Sequence, residues 1–192
     1  MWLINTHNGI KEKGIPPVNI EEFPAIKAHL DSFGDKLKKR TDKGNTPYNL
    51  RNCAYMEDFS KQKIIYPNMS KFLPFIFDEK GFLTNQKCFI VTGTGVGFLT
   101  AFFNSSLFKY CFRDNFPELQ GGTRELSKIF FDKIPVIQVN ERINQKFQLF
   151  VQDIQKEYTK EKALLLDEMI FDLYNLSEEE RKAIGFIEIQ GK

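Results

Sequence analysis

Apolar side chains at Ile26, Leu30, Phe33 and Leu37 fall at three- and four-residue intervals, the stripe of a single helix face. Asn19 stands ahead of them as an N-cap, with Glu21 and Glu22 in the first turn and Pro24 near the start, so one helix is expected from there to Lys38, Lys39 and Arg40. Cations suit that C-terminal end. Before it, Trp2 to Ile4 reads as a strand and Asn8 to Pro17 as a loop. After it, the turn-rich TDKGNTP at 41–47 leads into short β-prone runs at Tyr48–Leu50, Lys63–Tyr66, Leu73–Phe77 and Cys88–Thr92. Turns at Pro67–Asn68 and Lys80–Gly81 make several of these runs antiparallel neighbours.

Residues 97–113 read as helical with a break near Asn104–Ser106, and NFPELQGGT at 115–123 as a polar loop. From Glu141 the spacing of Ile143, Phe147, Val151, Ile154 and Tyr158 predicts a long amphipathic helix. Leu165, Met169, Ile170 and Leu173 continue it to about Tyr174. Ser177 and Glu180 form a capping box for a short last helix that Gly185 ends. The expected fold is mixed α/β (α+β), a small, largely antiparallel sheet with flanking helices, followed by a long C-terminal helix and a short last one. Residues 1–138 would form the working body and 139–192 a helical tail packed on it or on another domain.

Composition narrows the function classes. The 192 residues are 42% hydrophobic and 27% charged, which suits a folded chain and excludes a disordered or collagen-like one. The 20 phenylalanines read as core filling. Cys53, Cys88 and Cys111 are odd in number and lack a CxxC pair, which argues for a reducing, cytoplasmic setting and against structural zinc. Residues 1–10 show no secretory signal, and the uncharged stretch 88–108 carries enough Gly, Thr, Ser and Asn to read as strand, turn and buried helix rather than a membrane span.

Net charge is only +2, but its placement is uneven. Residues 36–63 hold eight basic and three acidic side chains, whereas 141–182 hold seven basic and ten acidic. A basic stretch beside an acidic helix suits a domain that meets a polyanion with one face. Within RTDKGNTPYNLR, Arg40, Lys43, Tyr48 and Arg51 alternate with the donors Asn45, Thr46 and Asn49. Lys61 and Lys63 lead into the next run, and the 113–124 loop adds Arg113, Gln120, two glycines and Arg124. Lys and Arg neutralise phosphates, while Arg, Asn, Gln and Thr read base edges. Arg40, Lys43, Lys61 and Lys63 are therefore candidates for phosphates, Thr46, Tyr48, Arg51, Gln120 and Arg124 for positions near base edges, and Arg113 for a further DNA contact from the loop.

Catalytic patterns are weak. His7 and His29 are the two histidines, and His29 sits beside Leu30 in a helix, where a structural role fits better. GTGVG at 93–97 follows a strand, yet Phe98 stands where a dinucleotide loop needs its third glycine. Asp78-Glu79-Lys80 falls at a turn and reads as solvated rather than as a metal-dependent nuclease centre. The one Pro-Pro pair, Pro16–Pro17, lacks the Asn or Asp and the aromatic of an amino-methyltransferase motif. No catalytic or metal-binding residue is therefore assigned.

IEEFPAIKAHLDSF, LKKR before a glycine loop, TPYNLR, FSKQKIIYP, FLTAFFNSSLFKYCF and GGTRELSKIFFDKIPVIQ together resemble the TaqI-like C-terminal specificity domain, the target-recognition part of adenine-specific type II restriction–modification enzymes. The chain is also similar to the repeat units of type I specificity subunits, and departs from the resemblance at Gly34, where a larger aromatic is expected. The resemblance implies a non-catalytic, bacterial module that recognises double-stranded DNA and positions a methyltransferase/endonuclease domain of the same parent chain. S-adenosylmethionine and Mg would belong to those other domains, with no cofactor here, and further N-terminal recognition segments would precede this chain. The alternative is a protein–protein interaction module that uses the long C-terminal helix.

Overall fold

The computed structural model describes residues 3–188. The chain forms two compact units, Met1–Met56 and Glu57–Lys192.

In the first unit the expected single helix is a series of short pieces. Asn19 does cap, accepting from the Glu21 amide at 3.3 Å, but the turn it opens is a 3-10 turn at Ile20–Glu22. Helix α1 (Pro24–Asp31) then ends, and α2 (Asp35–Lys38) starts afresh. Gly34 lies between them at φ 54, a left-handed conformation that glycine alone adopts without strain, which accounts for a glycine where the resemblance implied an aromatic. The break turns the stripe away from a common core: Leu37 is buried, whereas Phe33 is exposed. Leu3 and Ile4 form no strand, and Trp2 lies outside the described residues. Tyr48–Leu50 is not a strand either; it contributes a single bridge, Lys43 to Leu50. Isolated backbone bonds rather than a sheet tie this unit, as from the Leu50 amide to the Thr6 carbonyl at 2.8 Å and from the Val18 amide to the His7 carbonyl at 3.0 Å.

A 3-10 turn at Met56–Ser60 crosses the division, and the second unit builds its sheet from β1 (Lys63–Pro67), β3 (Ile76–Asp78) and β4 (Cys88–Thr92). Strand β1 is central and antiparallel to both neighbours, with Ile64 opposite Phe77 and Val91. Between β1 and β3, a two-residue strand β2 (Met69–Ser70) pairs with β5 (Arg124–Glu125) as a separate ribbon. The run expected at Leu73–Phe77 becomes a strand only from Ile76. Leu73 has φ 51, which breaks extended backbone at that point. The outer edge of β3 is closed by carboxamides in place of a strand. Gln155 accepts from the Phe77 amide at 2.7 Å and donates to its carbonyl at 2.9 Å; Asn104 does the same for Phe75 at 3.2 and 2.7 Å. These bonds occupy an edge that would otherwise pair with foreign strands.

Helices α3 (Val96–Asn104) and α4 (Ser106–Phe112) break where expected, at Ser105, whose hydroxyl caps the Phe108 amide. Helix α5 (Lys128–Phe131) is a short turn not foreseen in the sequence. The expected continuous helix from Glu141 to Tyr174 is two helices, α6 (Glu141–Lys156) and α7 (Lys160–Leu173): the chain turns extended at Glu157, and Thr159 caps the next helix by accepting from the Lys162 amide. Helix α8 (Glu178–Ile184) carries the expected capping box and stops at Gly185.

The core joins β1 and β3 to α3, α4, α6 and α7, and phenylalanine dominates it, with Phe98, Phe102, Phe108 and Phe116 at 1% exposure or less. Rings meet edge-on or tilted, as Phe103 and Phe108 do at 5.1 Å, the geometry that aromatic quadrupoles favour. Helix α6 lies close against α3 at Gly97, where a Cβ would come 2.6 Å from the Gln148 Cβ. Among the described residues, no helix is long and apolar enough to cross a membrane.

Candidate nucleic-acid interface

Of the sequence-derived candidates, Arg40, Lys43, Thr46, Tyr48 and Arg51 belong to the first unit. Their loop is folded on an asparagine-rich frame. Asn8 donates to the side chains of Asn45 and Asn52 at 3.2 and 2.5 Å and accepts from the Asn45 amide at 2.7 Å. Gly44 makes that frame possible, since a Cβ there would stand 2.4 Å from Asn8 Oδ1. Asn49, 1% exposed, donates to the carbonyls of Val18 and His7 at 3.0 and 3.4 Å. The donors of this loop therefore mostly serve the loop. Thr46 donates to Asn49 at 2.6 Å. Tyr48 donates to Asp31 at 2.7 Å, and that carboxylate holds the phenol above its ordinary pKa.

Three cationic candidates remain at the surface of this loop. Arg40 is half-buried beside Asp42 at 3.3 Å, and Lys43 donates to the Lys38 carbonyl at 3.1 Å. Arg51 is exposed, with no hydrogen bond or ion pair among the described residues. Lys36, Lys38 and Lys39 are likewise exposed and extend the positive surface along α2; the sequence had accounted for two of them by the helix dipole.

The other candidates, Lys61, Lys63, Arg113, Gln120 and Arg124, belong to the second unit. Lys63 is corrected outright. It is fully buried, ion-paired with Asp78 and donating to the Phe59 carbonyl at 2.5 Å. Lys63 and Asp78 are register partners across β1 and β3, so they form a cross-strand pair. Asp78 also accepts from the amides of Lys80 and Phe82, both at 3.0 Å. It is a structural hub and not the solvated acid its turn position suggested. Lys61 is exposed and paired with Asp58 at 2.6 Å.

Arg124 is the second correction. Its side chain is buried behind the 113–124 loop, donating to the Phe116 carbonyl at 2.8 Å and pairing with Glu118 and Asp114, each at 3.0 Å. It braces the loop from within and is not presented to a ligand. Above that brace Leu119 donates to the Thr123 carbonyl at 2.6 Å, and Gly121 and Gly122 turn the chain at φ 74 and 76. The side chains of Arg113 and Gln120 stand exposed on this loop, with no side-chain hydrogen bond or ion pair among the described residues.

The β2–β5 ribbon brings Lys71 and Phe72 beside the same loop, with Lys71 Cε 3.9 Å from where a Gly122 Cβ would sit. Sequence reading missed these two, and Lys109 and Tyr110 on α4. One signal was available: Lys109 is the only charge in the apolar run FLTAFFNSSLFKYCF.

Other chemistry is accounted for locally. The His7 ring accepts from the Gly9 amide at 3.0 Å, and His29 packs edge-on to Phe33 with ring centroids 5.4 Å apart. Among the described residues no three His, Cys, Asp or Glu side chains gather as metal ligands. Cys53, Cys88 and Cys111 are free thiols.

The first unit thus carries an asparagine-framed basic loop, and the second a braced polar loop beside a small sheet and phenylalanine-rich helices. The model of the TaqI-like C-terminal specificity domain matches residues 19–136, more than half of the chain, and the chain belongs to that family. The match covers parts of both units and ends ahead of α6. Membership makes this a specificity domain of the restriction–modification kind, a class that is generally non-catalytic. Comparison with curated proteins gives no match.

Proposed function

We propose that this chain reads duplex DNA for a bacterial, cytoplasmic restriction–modification enzyme and positions a separate methyltransferase/endonuclease domain of the same parent chain over the target adenine. The observation that carries the reading is the braced loop of the second unit. Burying Arg124 behind it fixes the loop while leaving Arg113 and Gln120 unpaired at its surface, the pre-organisation that base readout requires. In this reading Arg51, Arg113 and Gln120 approach base edges, with Thr46 beside them. Arg40, Lys43 and Lys61 contact phosphates, and Tyr48 holds its own loop in shape. S-adenosylmethionine and Mg serve the catalytic domain, and residues 139–192 act as a buttress. For the rival interaction module, the buried face of α6 (Phe147, Val151, Ile154) is already taken, which leaves only the exposed Leu149 on α6 and Leu164 and Leu165 on α7 for a partner.

Selection from a randomised duplex pool at low and moderate salt, with sequencing of the bound fraction, tests the proposal. Enrichment of one motif at both salts is the expected result, with Arg51→Ala and Arg113→Ala each weakening that site by about 5- to 100-fold. Binding that collapses with salt and enriches nothing would reduce the chain to phosphate contact alone. Unchanged affinity in both variants would sink the assignment of these residues.

A further inference from the structure

A cavity of ≈410 Å³ in the second unit, outside the sequence-derived set apart from Arg113, has Lys71, Phe72, Leu73, Lys109, Tyr110 and Arg113 in its lining, with Asp114, Ile187 and Glu188 completing it. Lys109 is 5% exposed, yet its ammonium finds only the Glu188 carbonyl, at 3.3 Å, and no carboxylate within ion-pair distance among the described residues. The acid it feels most, Asp167, is turned to Ser106, accepting from its amide at 2.7 Å and its hydroxyl at 2.5 Å. Asp114, at the rim, is paired with Arg124. A buried ammonium without a counter-ion is costly, and here it lies at the wall of an open cavity that also carries two exposed cations.

Part of the remaining wall is aromatic. Phe72 and Tyr110 are 43% and 56% exposed, and Lys71 Nζ stands 5.9 Å from the Phe72 ring centroid. Leu73 completes the wall in a left-handed conformation at φ 51, a strain that persists only where surrounding structure imposes it. Cations beside exposed rings are the arrangement that takes a nucleotide, phosphate to the charges and base to the π-face.

We propose that this cavity holds one unpaired nucleotide of the bound DNA, its phosphate among Lys71, Lys109 and Arg113 and its base against Tyr110 and Phe72. The proposal rests on the DNA-recognition reading above, and adds an extrahelical subsite distinct from duplex readout.

Two titrations with the full chain decide it. The first compares a fully paired duplex carrying the selected site with the same duplex containing a one-nucleotide bulge. The bulged duplex should bind about 5- to 100-fold tighter, the worth of one stacked base. Tyr110→Ala and Lys71→Met should abolish that preference and leave the paired duplex within about twofold. Equal affinity for the two duplexes, or a preference that survives Tyr110→Ala, overturns the subsite while leaving duplex recognition standing. The second titration uses a deoxynucleoside 5′-monophosphate against inorganic phosphate and the bare deoxynucleoside. The monophosphate should bind tightest and lose affinity in Lys109→Met. Equal binding of inorganic phosphate overturns the base half of the proposal. Failure of both duplexes sinks the DNA reading itself, and the monophosphate titration then decides the cavity alone, its absence of binding overturning it.

Discussion

At the scale of single residues, charge on the page of a sequence does not say which way a side chain faces. Lys61 and Lys63 are two positions apart, and one is exposed while the other is fully buried against Asp78. Burial of Lys63 depends on its register partner 15 residues on, which no local pattern around Lys63 reveals. Removing one member of such a pair strands the other charge, so Asp78→Asn should cost about 3–5 kcal/mol in urea unfolding. Lys63→Met with Asp78→Leu should restore a large part of that loss. Lys109 gives a pH-dependent counterpart, because burial pushes its ammonium down from 10.5 to about 8. Between those values the folded protein sheds the proton while the unfolded chain keeps it, so stability rises with pH, by about 3 kcal/mol at most. Below pH 8 both states are protonated and the cost of burying the charge is fully present. Urea unfolding from pH 7 to 9.5 should show the rise in the wild type and its loss in Lys109→Met.

Among elements, type was legible and continuity was not. The spacing of Phe147, Val151 and Ile154 correctly places a helix with one buried face, and Cys88–Thr92 is a strand with the expected bounds. Periodicity runs through a break, however, when the residues on either side keep the same phase. The long helix breaks just ahead of Thr159 and the first one at Gly34; in both places a capping residue was present in the sequence but outvoted by the apolar stripe. Packing between helices is sharper than any stripe implies. At Gly97 the α3–α6 approach leaves no room for a methyl group, with Asn144 O 3.0 Å from the position of a Cβ and the Gln148 Cβ nearer still. Alanine normally strengthens a helix by up to about 1 kcal/mol over glycine. Gly97→Ala should instead lower stability by about 1–3 kcal/mol through overpacking, visible as a lower Tm.

For the whole molecule, the mixed fold and the family were readable because buried apolar runs and the recurring motif segments survive in one chain, whereas the division at Met56 was not. No shift in composition marks it, since the basic stretch 36–63 runs straight across. Two compact units should unfold with separable transitions in calorimetry, and an excess of one cooperative peak would show them coupled. The candidate DNA residues are divided between the units as well. If both contribute to binding, replacing Arg40 and Lys43 should lower the slope of log affinity against log salt by about 2, and the selected motif should survive wherever Arg51, Arg113 and Gln120 are intact.

The 113–124 loop closes at its foot. Arg124 reaches the Phe116 carbonyl at 2.8 Å, the Glu125 amide reaches Pro117 at 3.1 Å, and the Leu126 amide reaches Asn68 at 2.8 Å. Everything between those ties is tip, and lengthening a flexible tip costs only about 0.6 kcal/mol per doubling. Such a foot works as a socket. Residues 119–123 lie outside those ties, and exchanging them for other tips leaves the scaffold beneath undisturbed, so cassette replacement gives new target preferences with the Arg124–Glu118 socket unchanged.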